Sequence, residues 1–372
     1  MKYLDEYRDG EKACYLAKRI NERTTRPWTL MEICGGQTHT IVKYGLEQLL
    51  PDSMNLIHGP GCPVCVTPIG IIDQAHILAG AKDVILTAFG DMMRVPGSTK
   101  DLLSVKAEGG DVRIVYSPLD AVRLARKEKA RQVVFFAIGF ETTAPTTARA
   151  ILEALHLDLK NFSVLCSHVL VPPAIEAILS SPSNTVQGLL AAGHVCTITG
   201  FNEYFSLAER HHIPIVVTGF EPVDILQGIL MTVEQLESER CGVENQYART
   251  VQQCGNPRAL EIMNAVFEPC DRVWRGMGTI PASGLAIRKH FEKFDAAARF
   301  GLSGSSADES SPCLAGEILR GMRKPHQCPS FARDCTPDHP LGAPMVSSEG
   351  ACAAYYLFRT FRTQQEGTLT LP

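Results

Sequence analysis

Short apolar runs alternate with helical segments through the middle of the chain, and this alternation constrains the fold more than any other feature. The runs are rich in Val, Ile and Phe and have the length of buried strands. We predict strands over residues 83–89, 112–117, 132–138, 162–166, 195–199 and 214–218. Strands that alternate with helices form a parallel sheet with helices on both faces. The sequence therefore predicts an α/β fold.

Local signals support this interpretation in the first half of the chain. Ser117 and Pro118 predict the start of a helix over 118–127, because Ser caps a helix and Pro favours its first position. The run over 132–138 is continuously apolar, which is typical of a strand buried on both faces. A further helix is predicted over 144–155.

The composition changes near residue 235, and this change sets the predicted domain boundaries. The chain has 372 residues, enough for two or three domains. We predict α/β domains over 1–122 and 123–235, followed by a cysteine-bearing region over 236–372. From residue 234 onward, helices are predicted over 234–244, 249–267 and 351–361.

Charge and composition exclude several classes of function. The net charge is −4, with 45% apolar and 20% charged residues, so no basic excess predicts nucleic-acid binding. Residues 1–26 lack the apolar core of a signal peptide, and no run approaches the length of a membrane helix. We therefore expect a cytoplasmic protein. Thirteen cysteines in a reducing compartment indicate metal ligands, redox thiols or core residues.

Four cysteines near the C-terminus lie in a Pro-rich segment with gaps of 14, 6 and 16 residues: Cys313, Cys328, Cys335 and Cys352. Four thiolates complete either an iron–sulfur cluster or a zinc site. Structural zinc usually takes Cys-x-x-Cys pairs, and none of these gaps is so short, so the spacing favours the cluster. The alternative is four buried free cysteines, but the surrounding segment is polar and turn-rich.

A Cys-x-x-Cys unit, Cys62 and Cys65, stands just before a helix predicted from residue 67 to about residue 80. A helix N-terminus favours the thiolate form, which suits a reversible disulfide. The same spacing is half of a zinc site, but no second pair lies nearby in the sequence. A thioredoxin-type redox pair is therefore preferred.

A single cysteine, Cys34, precedes Gly35 and Gly36 and stands five residues before His39. The glycines allow the backbone to turn tightly and approach a ligand. The thiol could bind a metal or act as a nucleophile, and the alternative is a buried cysteine beside a glycine turn.

Gly-Phe followed by Glu or Asn occurs three times, at 139–141, 200–202 and 219–221, at predicted strand ends. Ligands bind at this carboxyl edge of open α/β sheets, and His194 is predicted to lie on the same edge. No phosphate-binding glycine loop is present, so the sequence does not support the use of ATP or NAD.

Taken together, six motifs and the C-terminal cysteine spacing resemble the HypD family of hydrogenase maturation factors. The motifs are CGGQTHT, HGPGCPVCVTP, FGDMMRVPGS, GFETTAPT, SHVLVPPA and GFEPVD. The resemblance runs from about residue 31 to about residue 356, with no departure in the cysteine-bearing motifs. Members of this family are scaffolds on which the Fe(CN)₂CO group of [NiFe]-hydrogenases is built.

The resemblance implies two Rossmann-like domains with parallel sheets that face a cleft, and a third, mainly helical or irregular domain that holds a [4Fe–4S] cluster. It implies that Cys34 binds the iron of Fe(CN)₂CO. Cys62 and Cys65 match the redox-active dithiol, and His39 and His194 match positions that line the cleft. The implied cluster ligands are Cys313, Cys328, Cys335 and Cys352.

The resemblance also implies partners. A small HypC-type chaperone supplies a second thiolate to the iron, and a HypE-type protein delivers cyanide from a C-terminal thiocarboxamide. We expect a monomer, or a 1:1 complex with the chaperone.

The chemistry leads to a hypothesis in which electrons pass from the cluster through the dithiol towards the iron, because release of cyanide is reductive. Such a protein is an assembly scaffold with redox activity rather than a conventional turnover enzyme. Two alternatives stay open: a thiol oxidoreductase with a structural zinc, and a docking scaffold without a redox role.

Overall fold

The computed structural model describes residues 5–302 and 312–358. The strands are β1 (Trp28–Glu32), β2 (Met54–His58), β3 (Val84–Ala88), β4 (Val112–Ile114), β5 (Gln132–Gly139), β6 (Phe162–His168), β7 (Gly188–Ala192), β8 (Ile215–Thr218), β9 (Val243–Asn245), β10 (Phe267–Trp274) and β11 (Gly278–Ile287). The α-helices are α1 (Gly10–Arg23), α2 (Gly35–Lys43), α3 (Ile69–Gly80), α4 (Leu102–Ala107), α5 (Pro118–Lys127), α6 (Ala144–His156), α7 (Val171–Leu179), α8 (Gly193–Thr199), α9 (Asn202–His211), α10 (Pro222–Glu237), α11 (Pro257–Val266), α12 (Ala296–Phe300), α13 (Ala315–Leu319) and α14 (Ala351–Phe358).

Two parallel sheets form the centre of the described structure. The first, sheet A, has five strands in the order β2-β1-β7-β8-β9, and the second, sheet B, has four in the order β4-β3-β5-β6. All pairings within both sheets are parallel, as expected for strands connected through helices. The predicted α/β class with Rossmann-like parallel sheets is confirmed.

One apolar core is shared by the two sheets, because successive strand residues point to opposite faces. In β1, Met31 enters this shared core, whereas Leu30 packs on the other face of sheet A. In β5, Phe136 enters the shared core and Phe135 packs on the outer face of sheet B. The shared core therefore joins the two sheets through their inner faces.

The two sheets do not follow the predicted boundaries at residues 122 and 235. Sheet A takes β1 and β2 from the start of the chain and β7 to β9 from residues 188–245, whereas sheet B is built from residues 84–168 in between. The prediction of two consecutive units over 1–122 and 123–235 is therefore corrected. The composition of a strand does not show which other strand it pairs with. The sequence therefore does not predict that the chain returns to sheet A after completing sheet B.

Most predicted elements have the expected type. Helix α5 is capped by the Ser117 side chain, which accepts from the Leu119 N–H at 3.2 Å, with Pro118 at its first position. The predicted strand over 195–199 is wrong, because these residues belong to helix α8 and the strand is β7, just before it. A short apolar run has no periodicity that separates strand from buried helix. The motif at 200–202 therefore follows a helix.

The C-terminal third contains an antiparallel hairpin, β10–β11, that the sequence did not predict. Of the predicted helix over 249–267, only the part that forms α11 is an α-helix. Of the predicted helix over 234–244, the first residues are the end of α10 and the last residues belong to β9. The described part of the predicted helix over 351–361 is α14; residues 359–361 lie outside the described residues.

Residues 312–358 pack against helix α2 rather than standing apart. Their apolar core combines Val42 of α2 with Ile318, Met345 and Tyr355. Cys335 and Cys352 belong to this same core. In the described part of the chain, no helix combines the length and the apolar character that crossing a membrane requires.

Candidate functional site

Cys34 stands where strand β1 gives way to helix α2, as the N-terminal capping residue of that helix. Its side chain is buried, and its backbone N–H donates to Oε2 of Glu32 at 2.8 Å. The N–H of Gly35 donates to the carbonyl of Gly61 at 3.0 Å. A Cβ on Gly61 would lie 2.4 Å from the Cα of Cys34, so only glycine lets the two turns approach this closely.

The Cys34 thiol meets His194, as the sheet order requires. Strands β1 and β7 are neighbours, so the turns after their carboxyl ends lie side by side. Sγ of Cys34 lies 3.3 Å from Nδ1 of His194, which stands in the first turn of α8. The ring of Phe220 packs against His194, with their centroids 5.4 Å apart.

Burial keeps both groups neutral at neutral pH. It raises the pKa of the Cys34 thiol far above its usual range and lowers the pKa of His194 to about 4. A metal ion would bind the thiolate and would displace its proton, so metal binding is the natural way to offset this cost.

Cys62 and Cys65 are joined as a disulfide in the structure, in the turn after strand β2. The side chain of Cys62 is 2% exposed and that of Cys65 is 0% exposed. The N–H of Cys65 lies 3.2 Å from Sγ of Cys62. Helix α3 begins at Ile69 with Pro68 as its capping residue, so the pair precedes the helix instead of standing in its first turn.

The pair borders a small cavity of about 10 Å³, which we call the dithiol cavity. Its lining joins the Cys34 turn, through Gly35 and Thr38, to His58 and to Ala351, the residue before Cys352. The cavity is therefore bordered by the pair itself and by residues next to Cys34 and Cys352 in the chain.

The four C-terminal cysteines lie close enough together to influence one another's ionisation. Burial raises the pKa of Cys352 well above its usual range, and the other three thiols raise it further. The N–H of Leu341 donates to Sγ of Cys335 at 3.4 Å. A Cβ on Gly342 would lie 2.5 Å from Sγ of Cys313, so glycine leaves space beside that sulfur.

Four thiols are a donor set that suits either an iron–sulfur cluster or a zinc ion. Among the described residues, no three His, Cys, Asp or Glu side chains are arranged to hold one metal ion. A cluster needs four thiolates spread around a larger volume, and hydrogen bonds to its sulfurs tune it. The four thiols fit the first requirement in number, and the N–H donor at Cys335 fits the second.

A larger cavity of about 350 Å³ opens beside His194. It is lined by residues that follow strands of both sheets, among them Asp91 after β3 and Thr143 after β5, and by Pro63 between the paired cysteines. Glu349 also lines it, and burial, followed by the charge of Asp91, raises the pKa of the Glu349 carboxyl.

The structure separates the two histidines proposed from the sequence. His194 contacts Cys34 and lines the larger cavity, whereas His39 does not line it. Nδ1 of His39 lies 3.3 Å from the carbonyl of Ser348, and its ring meets Phe358 edge-on. Its contacts are with the C-terminal segment.

Sequence reasoning missed Glu349, Glu32 and His58. No motif spacing marks Glu349, which reaches the cavity only through the fold. Glu32 is predictable from its position, because a carboxylate at the end of a buried strand needs hydrogen-bond partners to offset its desolvation. Nδ1 of His58 lies 2.6 Å from Oε1 of Glu32, and both side chains are buried.

This fold and site define a class: an α/β scaffold with parallel sheets that carries a lone buried cysteine and a cysteine pair in one shared core, and four further cysteines in its C-terminal segment. A family model described as "Hydrogenase formation hypA family", and named HypD, matches residues 11–359. The chain belongs to the HypD family of hydrogenase maturation factors.

Individual relatives match along nearly their whole length. The chain is 49% identical to hydrogenase maturation factor HypD2 of Bradyrhizobium diazoefficiens, covering 98% of this chain and 99% of the relative. It is 49% identical to HypD of Azotobacter vinelandii, covering 96% and 97%. It is 46% identical to HypD of Escherichia coli, covering 96% and 98%. These similarities support a role in hydrogenase maturation.

Proposed function

We propose that this protein assembles the Fe(CN)₂CO group of a [NiFe]-hydrogenase in the cytoplasm, with Cys34 as the residue that holds the iron. The observation that carries the proposal is the Cys34–His194 contact of 3.3 Å, beside a cavity of about 350 Å³ that His194 lines. A soft thiolate suits low-spin ferrous iron with cyanide and CO ligands. The cavity offers space for these diatomic ligands.

His194 is the neighbour that receives the Cys34 proton when iron binds. Burial lowers the pKa of His194 to about 4, so the imidazole is neutral before iron binds, and it would pass the proton on to the cavity rather than keep it. The buried surroundings then keep water away from the iron–thiolate bond.

Cys62 and Cys65 supply the electrons for cyanide release. Cleavage of a carbon–sulfur bond of the thiocyanate type takes two electrons and one proton, and it yields cyanide and a thiol. Oxidation of a dithiol to a disulfide releases two electrons and two protons, so one pair serves one cyanide. The dithiol cavity places the pair beside the Cys34 turn.

The four C-terminal cysteines would hold a [4Fe–4S] cluster, which supplies or accepts one electron at a time when bound. The chain holds these thiols near helix α2: Cys335 and Cys352 lie in an apolar core that also contains Val42, and Cys328 packs against that core. Ala351, which lines the dithiol cavity, is the neighbour of Cys352 in the sequence.

Partners complete the proposed assembly. A HypC-type chaperone would supply a second thiolate to the iron, in a 1:1 complex, and a HypE-type protein would carry the cyanide. Neither nucleic acid nor a membrane has a part in this proposal. A stand-alone thiol oxidoreductase is disfavoured, because the buried disulfide offers no sulfur to an external protein thiol.

The test is anaerobic purification with a co-expressed HypC-type chaperone, followed by iron and sulfide counts and infrared spectroscopy of the same sample. We expect about four irons for the cluster, one further iron, and stretching bands of cyanide and CO. Zinc instead of iron, or a cluster without diatomic bands in the presence of both partners, would contradict the proposal.

The variant Cys34→Ala tests the anchor. We expect it to lose the diatomic bands and to keep the cluster, because the two sites use different cysteines. Cys196→Ala is the matched control, since Cys196 is also a buried free cysteine of the shared core. If Cys34→Ala kept the bands at full intensity, Cys34 would not be the anchor.

A further inference from the structure

A row of hydrogen bonds leads away from the dithiol cavity. The hydroxyl of Thr38 donates to Oε1 of Glu32, and the same oxygen lies 2.6 Å from Nδ1 of His58. Nε2 of His58 lies 2.9 Å from the hydroxyl of Tyr355, which donates to Oε2 of Glu47 at 3.2 Å. We call these five residues the polar row.

The polar row is buried at the end next to the dithiol cavity and solvent-exposed at the other end. Thr38 and His58 both line the dithiol cavity and are both 3% exposed. At the other end, the side chain of Glu47 is 28% exposed and forms an ion pair with Lys324 at 2.6 Å. The row therefore runs from the cavity beside the buried pair to solvent.

Redox chemistry at this pair requires protons to cross the protein. Reduction breaks the bond between the two sulfur atoms, takes up two electrons and adds one proton to each sulfur. Both cysteines are buried, at 2% and 0% exposure. Electrons can tunnel into such a site, but protons need a sequence of hydrogen-bonding groups.

We propose that the polar row of Thr38, Glu32, His58, Tyr355 and Glu47 carries protons between solvent and the Cys62–Cys65 pair. This inference rests on the proposed redox role of the pair. In this structure the hydroxyls of Thr38 and Tyr355 donate to Glu32 and Glu47, so each must rotate before a proton moves inwards. For each proton delivered, Thr38 gives its proton to a sulfur and takes one from Glu32, Glu32 takes one from His58, and His58 takes one from Tyr355. Tyr355 takes one from Glu47 and Glu47 takes one from water, so every member regains its starting charge.

The geometry favours transport over a purely structural network. His58 uses both ring nitrogens within the row, one towards Glu32 and one towards Tyr355, so the imidazole connects two proton-carrying groups. Burial raises the pKa of the Tyr355 phenol, followed by the charge of Glu47. The phenol therefore keeps its proton and can donate and accept at once.

The test follows reduction of the disulfide in the full-length protein, purified anaerobically, by reduced methyl viologen. Two viologen radicals supply two electrons and no protons, so the protons come from water. The readout is the rate at which Cys62 and Cys65 become reactive to an alkylating reagent, measured by mass spectrometry in H₂O and in D₂O. The midpoint potential of the pair is measured on the same samples.

We expect Thr38→Val and Tyr355→Phe to slow reduction by about a hundredfold, the usual size of a lost proton-transfer group. The solvent isotope effect should grow, and the midpoint potential should stay at the wild-type value. Matched controls are Thr40→Val on the same helix and Tyr356→Phe at the neighbouring position, and both should reduce at the wild-type rate.

His58→Gly gives an independent check, because added imidazole should restore its rate by replacing the missing ring. Wild-type rates in Thr38→Val and Tyr355→Phe would overturn the proposal. So would slow reduction with a shifted midpoint potential and no imidazole rescue, which would indicate a structural role. Neither result affects the iron proposal, whose infrared test does not depend on the rate of disulfide reduction.

Discussion

Glu32 is a carboxylate with no exposed surface, and its environment explains how it can be buried. It accepts hydrogen bonds from the N–H of Cys34 and from the hydroxyl of Thr38, and it contacts Nδ1 of His58. A buried carboxylate is stable only when such donors replace water. Through these hydrogen bonds, Glu32 holds the Cys34 turn and the first turns of helix α2 in place.

We predict that Glu32→Gln lowers the free energy of unfolding by about 1–3 kcal/mol, because the amide NH₂ would face a donor. Denaturation by urea, followed by circular dichroism, measures this. Glu22→Gln, at an exposed position of α1, is the control and should leave stability unchanged. An unchanged midpoint for Glu32→Gln would show that the carboxylate is not needed there.

Glu141 gives a prediction about pH. Its carboxyl is buried, and Oε1 accepts from the Val171 N–H at 2.8 Å, whereas Oε2 has no hydrogen-bond partner among the described residues. Burial raises the pKa of Glu141 from 4.5 to about 8. The folded protein therefore binds this proton more tightly than the unfolded chain does.

The stability from this proton is complete below pH 4.5 and is lost as the pH rises to about 8. We expect Glu141→Gln to become more stable than the wild type across that window, by about 1.4 kcal/mol for each unit between the two pKa values. Urea denaturation at several pH values, with Glu209→Gln as an exposed control, measures the difference. A difference that does not change with pH would contradict the assignment.

At the scale of elements, the close approach of the Cys34 turn and the turn at Gly61 constrains the site. We predict that Gly61→Ala destabilises the protein, because its Cβ would lie 2.4 Å from backbone atoms of Cys34. Gly80→Ala is the control, since its Cβ would meet nothing within 4 Å at the end of α3. It should leave stability unchanged or raise it by about 0.4–1 kcal/mol.

Thermal unfolding measures both variants. A Gly61→Ala protein as stable as Gly80→Ala would mean that the two turns can separate without cost. The same close approach also predicts a changed environment for the Cys34 thiol in Gly61→Ala, which alkylation rates would detect.

The elements that sequence predicted well have strong local signals, and those that it missed do not. Ser117 and Pro118 marked the start of α5, and β5 was apolar throughout. Helix α8 was mistaken for a strand because its seven residues are too few to show a helical period. The β10 strand of the hairpin alternates buried and exposed residues only weakly, so its pattern did not stand out.

Among the residues of the candidate site, too, some have local sequence signals and others do not. Cys34, Cys62 and Cys65 were marked by glycine and spacing, and His194 by its place near a predicted sheet edge. Glu349 was not predictable, because its approach to the larger cavity depends on how the C-terminal segment packs on α2. Long-range packing of this kind leaves no trace in local sequence.

At the scale of the whole molecule, sheet B is an insertion within sheet A. We predict that a fragment of residues 1–122 does not fold cooperatively, because β1 would lose its neighbour β7 and the apolar faces of Leu30 and Met31 would be exposed. Thermal unfolding of the fragment beside the full chain measures this. A sharp, cooperative transition in the fragment would contradict the interleaved arrangement.

Because the chain returns to sheet A only after sheet B, the residues around Cys34 are synthesised at different times. Cys34 and His194 are 160 residues apart, so the ribosome makes one about 10–30 seconds before the other. During most of that interval strand β1 is paired with β2 on one side but lacks β7 on the other, and the thiol does not yet have His194 beside it. A newly made chain therefore passes through a period in which oxidants and stray metal ions in the cell can reach the cysteine that the finished protein shields.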